Sequence, residues 1–462
     1  MLTYDMERRG ELARYDYLCR CIREDILAGR LRRGEKLPSK RALAAHLQVA
    51  VVTVENAYAQ LLAEGYLYAR EKRGYFVSEL ESKPARELPP EEQEQEQEAV
   101  PWQLDLENSG NGIEGFPFSV WAKLMRRTLT DRGQQLLRAT PHNGAAELRR
   151  AIASQLYRFR GITASPDQIV VGAGTEYLYN LLVQLLGRDK LYGVEDPGYS
   201  KAAAIYGLNG AACVPLSVDR QGVRREDVEK QGVQVLHLSP NHQFPTGLVM
   251  PIGRRQSLLN WAEQGADRYI IEDDYDSEFR FTGRPIPTLQ SVDRGGRVIY
   301  MNTFSRTLAS SLRISYMVLP QELMRAYRKG LGFYSCTVPA MEQYTLARFL
   351  EEGYFEAHVN RMRKRYRSHR DMVGAAIVSS AIGPRCQILR ENAGLHFLVK
   401  LDTVTPDEVL KEGAEGLGIR LSLLSDFTKV QKEDSTHTLI IHYPCLDPEE
   451  LRAGLSLLAP LL

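Results

Sequence analysis

The segment at residues 81–98 constrains this chain more than any other feature of its sequence. It reads ESKPARELPPEEQEQEQE, in which prolines interrupt helical structure and the Glu/Gln run carries no apolar stripe. Like charges along such a run repel one another, so the segment cannot build a hydrophobic core of its own. We therefore expect two separately folded domains, residues 1–80 and 101–462, joined by an acidic Glu/Gln/Pro linker over 81–100.

The composition is that of ordinary globular domains. Hydrophobic residues make up 44% and charged residues 25% of the 462 residues, which excludes a wholly disordered or collagen-like chain. Six cysteines without a C-x-x-C pair are too few for a disulfide scaffold and fit a reducing compartment, so we expect a cytoplasmic protein. No run approaches the ~20 apolar residues of a membrane span, and the N-terminus lacks the apolar core of a signal peptide.

The first 80 residues predict helices followed by a small hairpin. Leu18, Ile22 and Ile26 repeat at every fourth position, Ser39 can cap a second helix, and a third ends near Gly65. Two short aromatic-rich strands then flank the basic turn EKRG. This order is typical of an α+β winged helix-turn-helix, whose second helix suits the major groove of DNA. A helical protein-interaction domain with an exposed hairpin has the same pattern.

The stretch GEKLPSKRALAAHLQVAVVTVENAYAQLLAEGYLYAREKRGYFV resembles the DNA-binding domain of GntR-family bacterial regulators, with a similarity that covers residues 12–78. The family usually has Ser-Arg-x before the Thr-Val pair, whereas Ala50, Val51 and Val52 stand there in this chain. The resemblance implies a double-stranded DNA operator as the partner, and the missing cation shifts the expected contacts elsewhere. The expected DNA-binding residues are Lys40, Arg41, Thr53, Asn56, Lys72 and Arg73.

Strand-like and helical stretches alternate in the larger part of the chain. Short apolar runs lie at 168–171, 235–238, 269–271 and 298–300. They are typical of an α/β domain with a buried, mostly parallel sheet, whose ligands bind at the carboxyl ends of the strands. The turn GAGT at 172–175 opens a helix and offers backbone N–H groups to a phosphate. Glu272, Asp273 and Asp274 follow another strand and can hold a protonated ring nitrogen, bind a metal or cap a helix.

Five motifs together resemble the fold-type I aminotransferases in the version fused to GntR regulators, the MocR branch. They are DPGY (196–199), HQFPTG (242–247), EDDYDSEFR (272–280), YMNTFSRTLASSLRISYMVLP (300–320) and AGLHF (393–397). With the DNA-binding domain, the similarity covers residues 12–460. It implies an α/β aminotransferase-like large domain that binds pyridoxal 5'-phosphate (PLP) or a related effector and forms a homodimer.

The resemblance assigns nine residues to a PLP pocket. Tyr199 matches the aromatic residue that stacks on the pyridine ring, Asp273 the carboxylate that pairs with the ring nitrogen, and Tyr275 a hydroxyl near the phenolic oxygen. The residues that match the phosphate cup are Gly174, Thr175, Thr303, Ser305 and Arg313. The ninth residue, Arg306, stands where the family has the lysine that bonds PLP.

Arg306 removes the primary amine that a Schiff base requires. A guanidinium keeps its proton, with a pKa above ~12, so it is a poor nucleophile and a poor proton shuttle. We therefore expect no transaminase activity. Asn241, Asn302, Ser310 and Ser311 also depart from the family pattern, which favours natural divergence over a single introduced substitution.

Asp273 is retained, but its presence alone does not identify the ligand. The pocket can hold PLP non-covalently, prefer pyridoxamine phosphate or a preformed PLP–amino acid adduct, or bind another phosphorylated or anionic metabolite. Alternatively, Arg306 or a local amide satisfies Asp273, and the domain is only a dimer scaffold.

We therefore predict a transcription regulator that senses such a small molecule without a Schiff base. The alternatives are a PLP-dependent aminotransferase with an appended DNA-binding domain and a constitutive repressor. His396 and His442 have no partner at metal-ligand spacing, so no metal site is predicted.

Overall fold

The computed structural model describes residues 2–10, 12–79, 102–107, 115–281, 287–389, 394–430 and 435–462. The chain divides into two compact units between Val100 and Pro101. The expected linker over 81–100 lies outside the described residues, so its boundaries stay predictions. Among the helices that the structure describes, none has both the length and the apolar character needed to cross a bilayer.

Three helices and a hairpin form the N-terminal unit. They are α1 (Arg14–Leu27), α2 (Lys40–Leu47), α3 (Val51–Ala63), β1 (Leu67–Arg70) and β2 (Gly74–Val77). The side chain of Ser39 accepts the backbone N–H of Ala42 at 3.2 Å, which caps α2 as predicted. Leu18, Ile22 and Tyr58 are fully buried in one core that the three helices and the hairpin share. Because β1 and β2 pair antiparallel, this unit confirms the predicted winged helix-turn-helix.

The large unit is built on a mixed sheet. Its strands are β3 (Leu104–Asp105), β4 (Ile169–Gly172), β5 (Leu191–Asp196), β6 (Ala212–Asp219), β7 (Gly222–Val223), β8 (Val235–Leu238), β9 (Tyr269–Asp273), β10 (Val298–Thr303), β11 (Ser315–Val318), β12 (Cys386–Leu389), β13 (Phe397–Leu401), β14 (Ile419–Arg420) and β15 (Thr438–Ile441). Eight of them form one sheet in the order β4-β11-β10-β9-β8-β5-β6-β7. The run from β10 through β9, β8 and β5 to β6 is parallel, and β11 and β7 pair antiparallel with their neighbours.

Helices cover both faces of this sheet. The α-helices described in the large unit, including those of its C-terminal part, are α4 (Phe118–Arg132), α5 (Ala146–Arg160), α6 (Thr175–Leu186), α7 (Ser200–Leu208), α8 (Arg225–Lys230), α9 (Ile252–Glu263), α10 (Leu289–Val292), α11 (Gln321–Gly330), α12 (Ala340–Glu351), α13 (Tyr354–Ser379), α14 (Asp407–Gly416) and α15 (Pro448–Leu457). Val170 packs in one core with Leu178 of α6, whereas its neighbour Val171 packs in another with Leu148 of α5. Successive strand residues point to opposite faces, so each strand contributes to two cores.

The C-terminal part adds a separate small sheet. Strands β12, β13 and β15 pair antiparallel in that order, and β14 pairs parallel with β3, with Ile419 opposite Leu104. Their inward residues share a core with α13, α14 and α15. The large unit therefore has the aminotransferase-like α/β architecture that the resemblance implied.

Candidate functional site

A cavity of about 390 Å³ lies at the carboxyl edge of the eight-stranded sheet. Eight of the nine residues expected in the PLP pocket line it, namely Thr175, Tyr199, Asp273, Tyr275, Thr303, Ser305, Arg306 and Arg313. Asp273 and Thr303 are the last residues of β9 and β10, and Thr175 begins the helix that follows β4. Neighbouring parallel strands end at one edge, which brings these distant positions together.

The ninth residue, Gly174, does not itself line this cavity, although it directly precedes Thr175, which does. Its φ of 93° is a conformation that favours glycine, and a Cβ built there would overlap Nη2 of Arg313. Glycine thus lets the guanidinium approach the N-terminus of α6. Nearby, Oγ1 of Thr303 accepts the hydroxyl of Ser315 at 2.8 Å and the backbone N–H of Ser305 at 3.1 Å. A helix N-terminus beside a fixed cation suits a phosphate dianion.

Glu176 also lies at the expected phosphate position, and the sequence had not indicated it. Nη2 of Arg313 donates to its Oε2 at 3.0 Å, and Nζ of Lys201 lies 3.6 Å from its Oε1. All three side chains line the cavity. An anionic ligand would therefore compete with Glu176 for Arg313. The primary amine of Lys201 belongs to the same cluster, beside the expected phosphate position.

Asp273 is 7% exposed and has one oxygen without a partner. The hydroxyl of Tyr179 donates to its Oδ2, and Nε2 of His237 is 3.6 Å from the same oxygen. Its Oδ1 is buried and receives no hydrogen bond from any described residue. Leaving a buried carboxylate oxygen unpaired is costly, so the site favours a ligand that brings a donor. The sequence feature that could have identified Tyr179 as a site residue is its position one helical turn after Thr175 on α6.

Three consecutive carboxylates at the end of β9 act separately. Glu272 accepts two backbone N–H groups at the start of α10, each at 2.9 Å, and burial raises its pKa to about 7. Oδ2 of Asp274 accepts from Arg160 and from Tyr300, both at 2.6 Å. Only Asp273 lines the cavity. Side-chain alternation along the strand explains this division, and it leaves Asp273 as the carboxylate that can hold a ring nitrogen.

The centre of the cavity holds a fixed cation and a buried acid. Arg306 and Glu195 both line it. Burial raises the pKa of Glu195 to about 8, although its Oε2 accepts the backbone N–H of Ser239 at 2.9 Å. Burial and, secondly, the charge of Arg306 lower the pKa of His442 to about 3. Arg306 thus places a permanent positive charge in the cavity wall, and this charge acts on its surroundings.

The structure corrects the expectation that His396 lacks a partner. Its ring centroid is 4.8 Å from that of His242, and Nδ1 of His242 is 2.9 Å from Oδ2 of Asp276. The donor atoms of these three buried residues lie within 4.8 Å of one another. Sequence spacing could not reveal this group because three separate loops contribute to it. No ion is assigned to it, and the absence of a metal site stays a prediction.

The residues expected to contact DNA lie on the winged unit. Arg41, Asn56, Lys72 and Arg73 are exposed, and Thr53 and Lys40 are half-buried. Nζ of Lys40 donates to Glu55 at 2.6 Å, so part of its charge is compensated. Val51 and Val52 are 43% and 58% exposed at the start of α3. The DNA contacts themselves stay predictions.

Comparison with known proteins gives the same division of the chain. Residues 14–77 match the model of the gntR family of bacterial regulatory proteins, and residues 107–456 match that of aminotransferase class I and II. The chain is 37% identical to the uncharacterized HTH-type transcriptional regulator YdeL of Bacillus subtilis (strain 168), over 98% of each chain. It is 32% identical to the probable rhizopine catabolism regulatory protein MocR of Rhizobium meliloti, over 98% of this chain and 94% of that one.

Solved structures show the fold of the large unit. A Pyrococcus horikoshii kynurenine aminotransferase in complex with PMP matches with a TM-score of 0.68 and 24% identity, covering 77% of this chain and 90% of that one. At this identity the likeness establishes the architecture, and the chemistry has to be argued from the residues present.

Proposed function

Because the chain belongs to the GntR-type HTH transcriptional regulators that carry an aminotransferase class I and II domain, we propose that its large domain senses PLP, pyridoxamine phosphate or a PLP-derived adduct without a covalent bond. The observation that carries this proposal is the buried, unpartnered Oδ1 of Asp273 in the cavity. A buried carboxylate oxygen that accepts no hydrogen bond from the described residues is suited to a protonated ring nitrogen.

The rest of the cavity fits the other parts of such a ligand. When bound, this cofactor brings a protonated pyridine nitrogen and a phosphate dianion. Tyr199, 40% exposed, is available to stack on a ring, and the N-terminus of α6 with Arg313 would hold the phosphate. Release of Arg313 from Glu176 would accompany binding, so the ligand exchanges one ion pair for another.

Arg306 supports sensing over catalysis. Its guanidinium cannot bond the cofactor or carry protons during amino-group transfer. Among the described residues that line the cavity, Lys201 is the one primary amine, and its ion pair with Glu176 holds it at the expected phosphate position. We propose that the protein is a cytoplasmic homodimer in which ligand binding changes operator affinity. The coupling is a difference in ligand affinity between the DNA-bound and free states.

A calorimetric titration of PLP, and then of pyridoxamine phosphate, into the purified protein tests this proposal. Saturable binding that also changes operator affinity in a parallel DNA titration is the expected result. Arg306→Lys serves as the matched control, since it keeps a cation and restores the amine. Binding by Arg306→Lys alone would show that the sensor function was lost at this position. No response of either protein to any of the ligands would favour a constitutive repressor.

Borohydride reduction separates the proposed sensor from the enzyme alternative. We expect no PLP-modified peptide from the native protein and a modified peptide at residue 306 from Arg306→Lys. Modification of Lys201 in the native protein, together with sustained amino-group transfer, would establish the aminotransferase instead.

A further inference from the structure

A second cavity, of about 220 Å³, lies on the face of the sheet covered by α5 and α13. Asn302 of β10 lines it, whereas the next residue, Thr303, lines the first cavity. The two cavities share no lining residue in the described chain. Phe159, Phe355 and Val359 form apolar walls of the second cavity. It is therefore distinct from the site discussed above.

Four residues on the wall of this cavity each have a buried polar atom without a hydrogen-bond partner among the described residues. The atoms are Nε of Arg160, Nε2 of His242, Oγ of Ser277 and Oε2 of Glu278. Folded proteins leave few such atoms, and each costs free energy unless a ligand or ordered water satisfies it. The His242 side chain is 3% exposed, so bulk solvent does not satisfy its free nitrogen. That all four atoms belong to residues lining one cavity points to a polar site there.

The chemistry of these atoms selects a ligand that donates hydrogen bonds. Nδ1 of His242 faces the carboxylate of Asp276 at 2.9 Å, which assigns the ring proton to Nδ1 and leaves Nε2 as an acceptor. Glu278 adds a second acceptor, and the hydroxyl of Ser277 can accept or donate, against one donor from Arg160. Burial and, secondly, the nearby Asp274 raise the pKa of Glu278 to about 7, so its charge is under-compensated. A cationic donor would relieve this.

Two of the positions where this chain departs from its family point to the same place. Nδ2 of Asn302 donates to Oε1 of Glu278 at 3.3 Å, and Nδ2 of Asn241 donates to Asp274 at 2.9 Å. Both amides line the second cavity, and neither lines the first. They hold the carboxylates of this region in place. The departures therefore have a structural role that the proposed PLP site does not explain.

We propose that the second cavity is a binding site for a small aliphatic molecule with a protonated amine. Glu278, His242 and Ser277 accept the hydrogen bonds of the ammonium group, and the apolar wall formed by Phe159 and Val359 covers a short carbon chain. The volume of 220 Å³, a little over half that of the first cavity, has room for such a molecule.

Calorimetry with propylamine and 1,4-diaminobutane as probes tests this site, with propionate as the comparator that lacks the amine. Saturable binding of at least one amine to the native protein, and none of propionate, is expected. Glu278→Gln keeps the shape and removes the charge, and it should weaken amine binding roughly tenfold while PLP binding is unchanged. Asp273→Asn should do the reverse, so failure of one site is distinguishable from failure of the other.

A crystal structure of the native protein soaked in 1,4-diaminobutane provides a readout that does not depend on a folded variant. Amine nitrogen density within hydrogen-bond distance of Glu278 and His242 would support the proposal. Ordered water alone, a metal ion on His242 and Asp276, or equal binding of amines by the native protein and Glu278→Gln would overturn it.

Discussion

Substitution of Asp273 by asparagine should change ligand affinity and stability in opposite directions. Asparagine has the shape of aspartate, and its oxygen can still accept the hydroxyl of Tyr179. What disappears is the negative charge on the unpartnered oxygen. In the free protein that charge is a cost, and in the ligand-bound protein it is the partner of a protonated ring nitrogen.

The magnitudes follow from these two roles. A hydrogen bond to a charged group contributes about 2–3 kcal/mol, so loss of the pair should weaken PLP binding roughly 30- to 150-fold. An unsatisfied buried oxygen costs about 1–3 kcal/mol. Because the asparagine amide leaves a neutral group unpaired, only part of this cost is recovered. We expect a gain of about 1 kcal/mol, which raises the Tm of the large unit by about 2 °C.

Two assays on the same samples check this prediction. Calorimetry measures the PLP affinity of the native protein and of Asp273→Asn, and differential scanning calorimetry without ligand measures their unfolding. Asp276→Asn is a matched control, because that carboxylate is also buried but already pairs with His242. A variant that binds PLP as tightly as the native protein, or that loses stability without ligand as the control does, would refute the assignment of Asp273.

Three further perturbations address the DNA contact, the buried acid and the winged core. Replacing Lys72 and Arg73 by alanine should weaken operator binding and lower the salt slope of log K by about 2, measured by fluorescence anisotropy. Glu195→Gln should remove a loss of stability that runs from about pH 4.5 to about 8. Because burial raises the pKa of Glu195, its contribution to the stability of the fold is fully present below that window and is lost as the pH rises through it. Thermal unfolding at several pH values measures this loss. Tyr58→Phe should cost about 1 kcal/mol in denaturant unfolding of the winged unit, because its hydroxyl donates to the carbonyl of Pro38 at 3.0 Å.

Matched controls separate these effects from general damage. Arg14 and Arg20 on α1 carry the same two charges as the hairpin pair, and their replacement should leave most of the operator affinity and slope intact. An unchanged slope after the hairpin substitutions would remove the hairpin from the interface. Tyr15→Phe on the exposed face of α1 should leave stability unchanged. Parallel pH profiles for the native protein and Glu195→Gln would contradict the burial argument.

Local patterns predicted the elements of the winged unit well. The four-residue repeat of Leu18 and Ile22 marks the buried face of α1, and Ser39 caps α2 at the expected place. Such features depend on neighbours within one or two turns, so the sequence alone specifies them. The likeness of longer motifs to a known family then indicated the aminotransferase-like architecture and eight residues of one cavity.

Partners from distant strands and helices could not be predicted in this way. Tyr179 and Glu176 satisfy or compensate residues of the candidate site, yet both read in the sequence as ordinary positions of an amphipathic helix. The unpaired Oδ1 of Asp273 likewise cannot be predicted until the positions of all its neighbours are known. Whether a polar atom is satisfied depends on the whole environment around it, and residues far apart in sequence supply that environment.

Local sequence patterns and the family resemblance indicated a DNA-binding unit, an acidic segment and an α/β unit with Arg306 at the position where the resemblance implies a Schiff-base lysine. Which polar atoms remain unpaired depends on how the folded domain packs around them. The tertiary structure directed Asp273 into one cavity and its neighbour Asp274 away from it, and it gathered His242, Ser277 and Glu278 around another. The alternation of side chains between the two faces of a strand is a local property. The cavities that these side chains line form only where helices from separate segments pack on the sheet. That packing therefore decides which of the chain's many polar residues can bind a ligand.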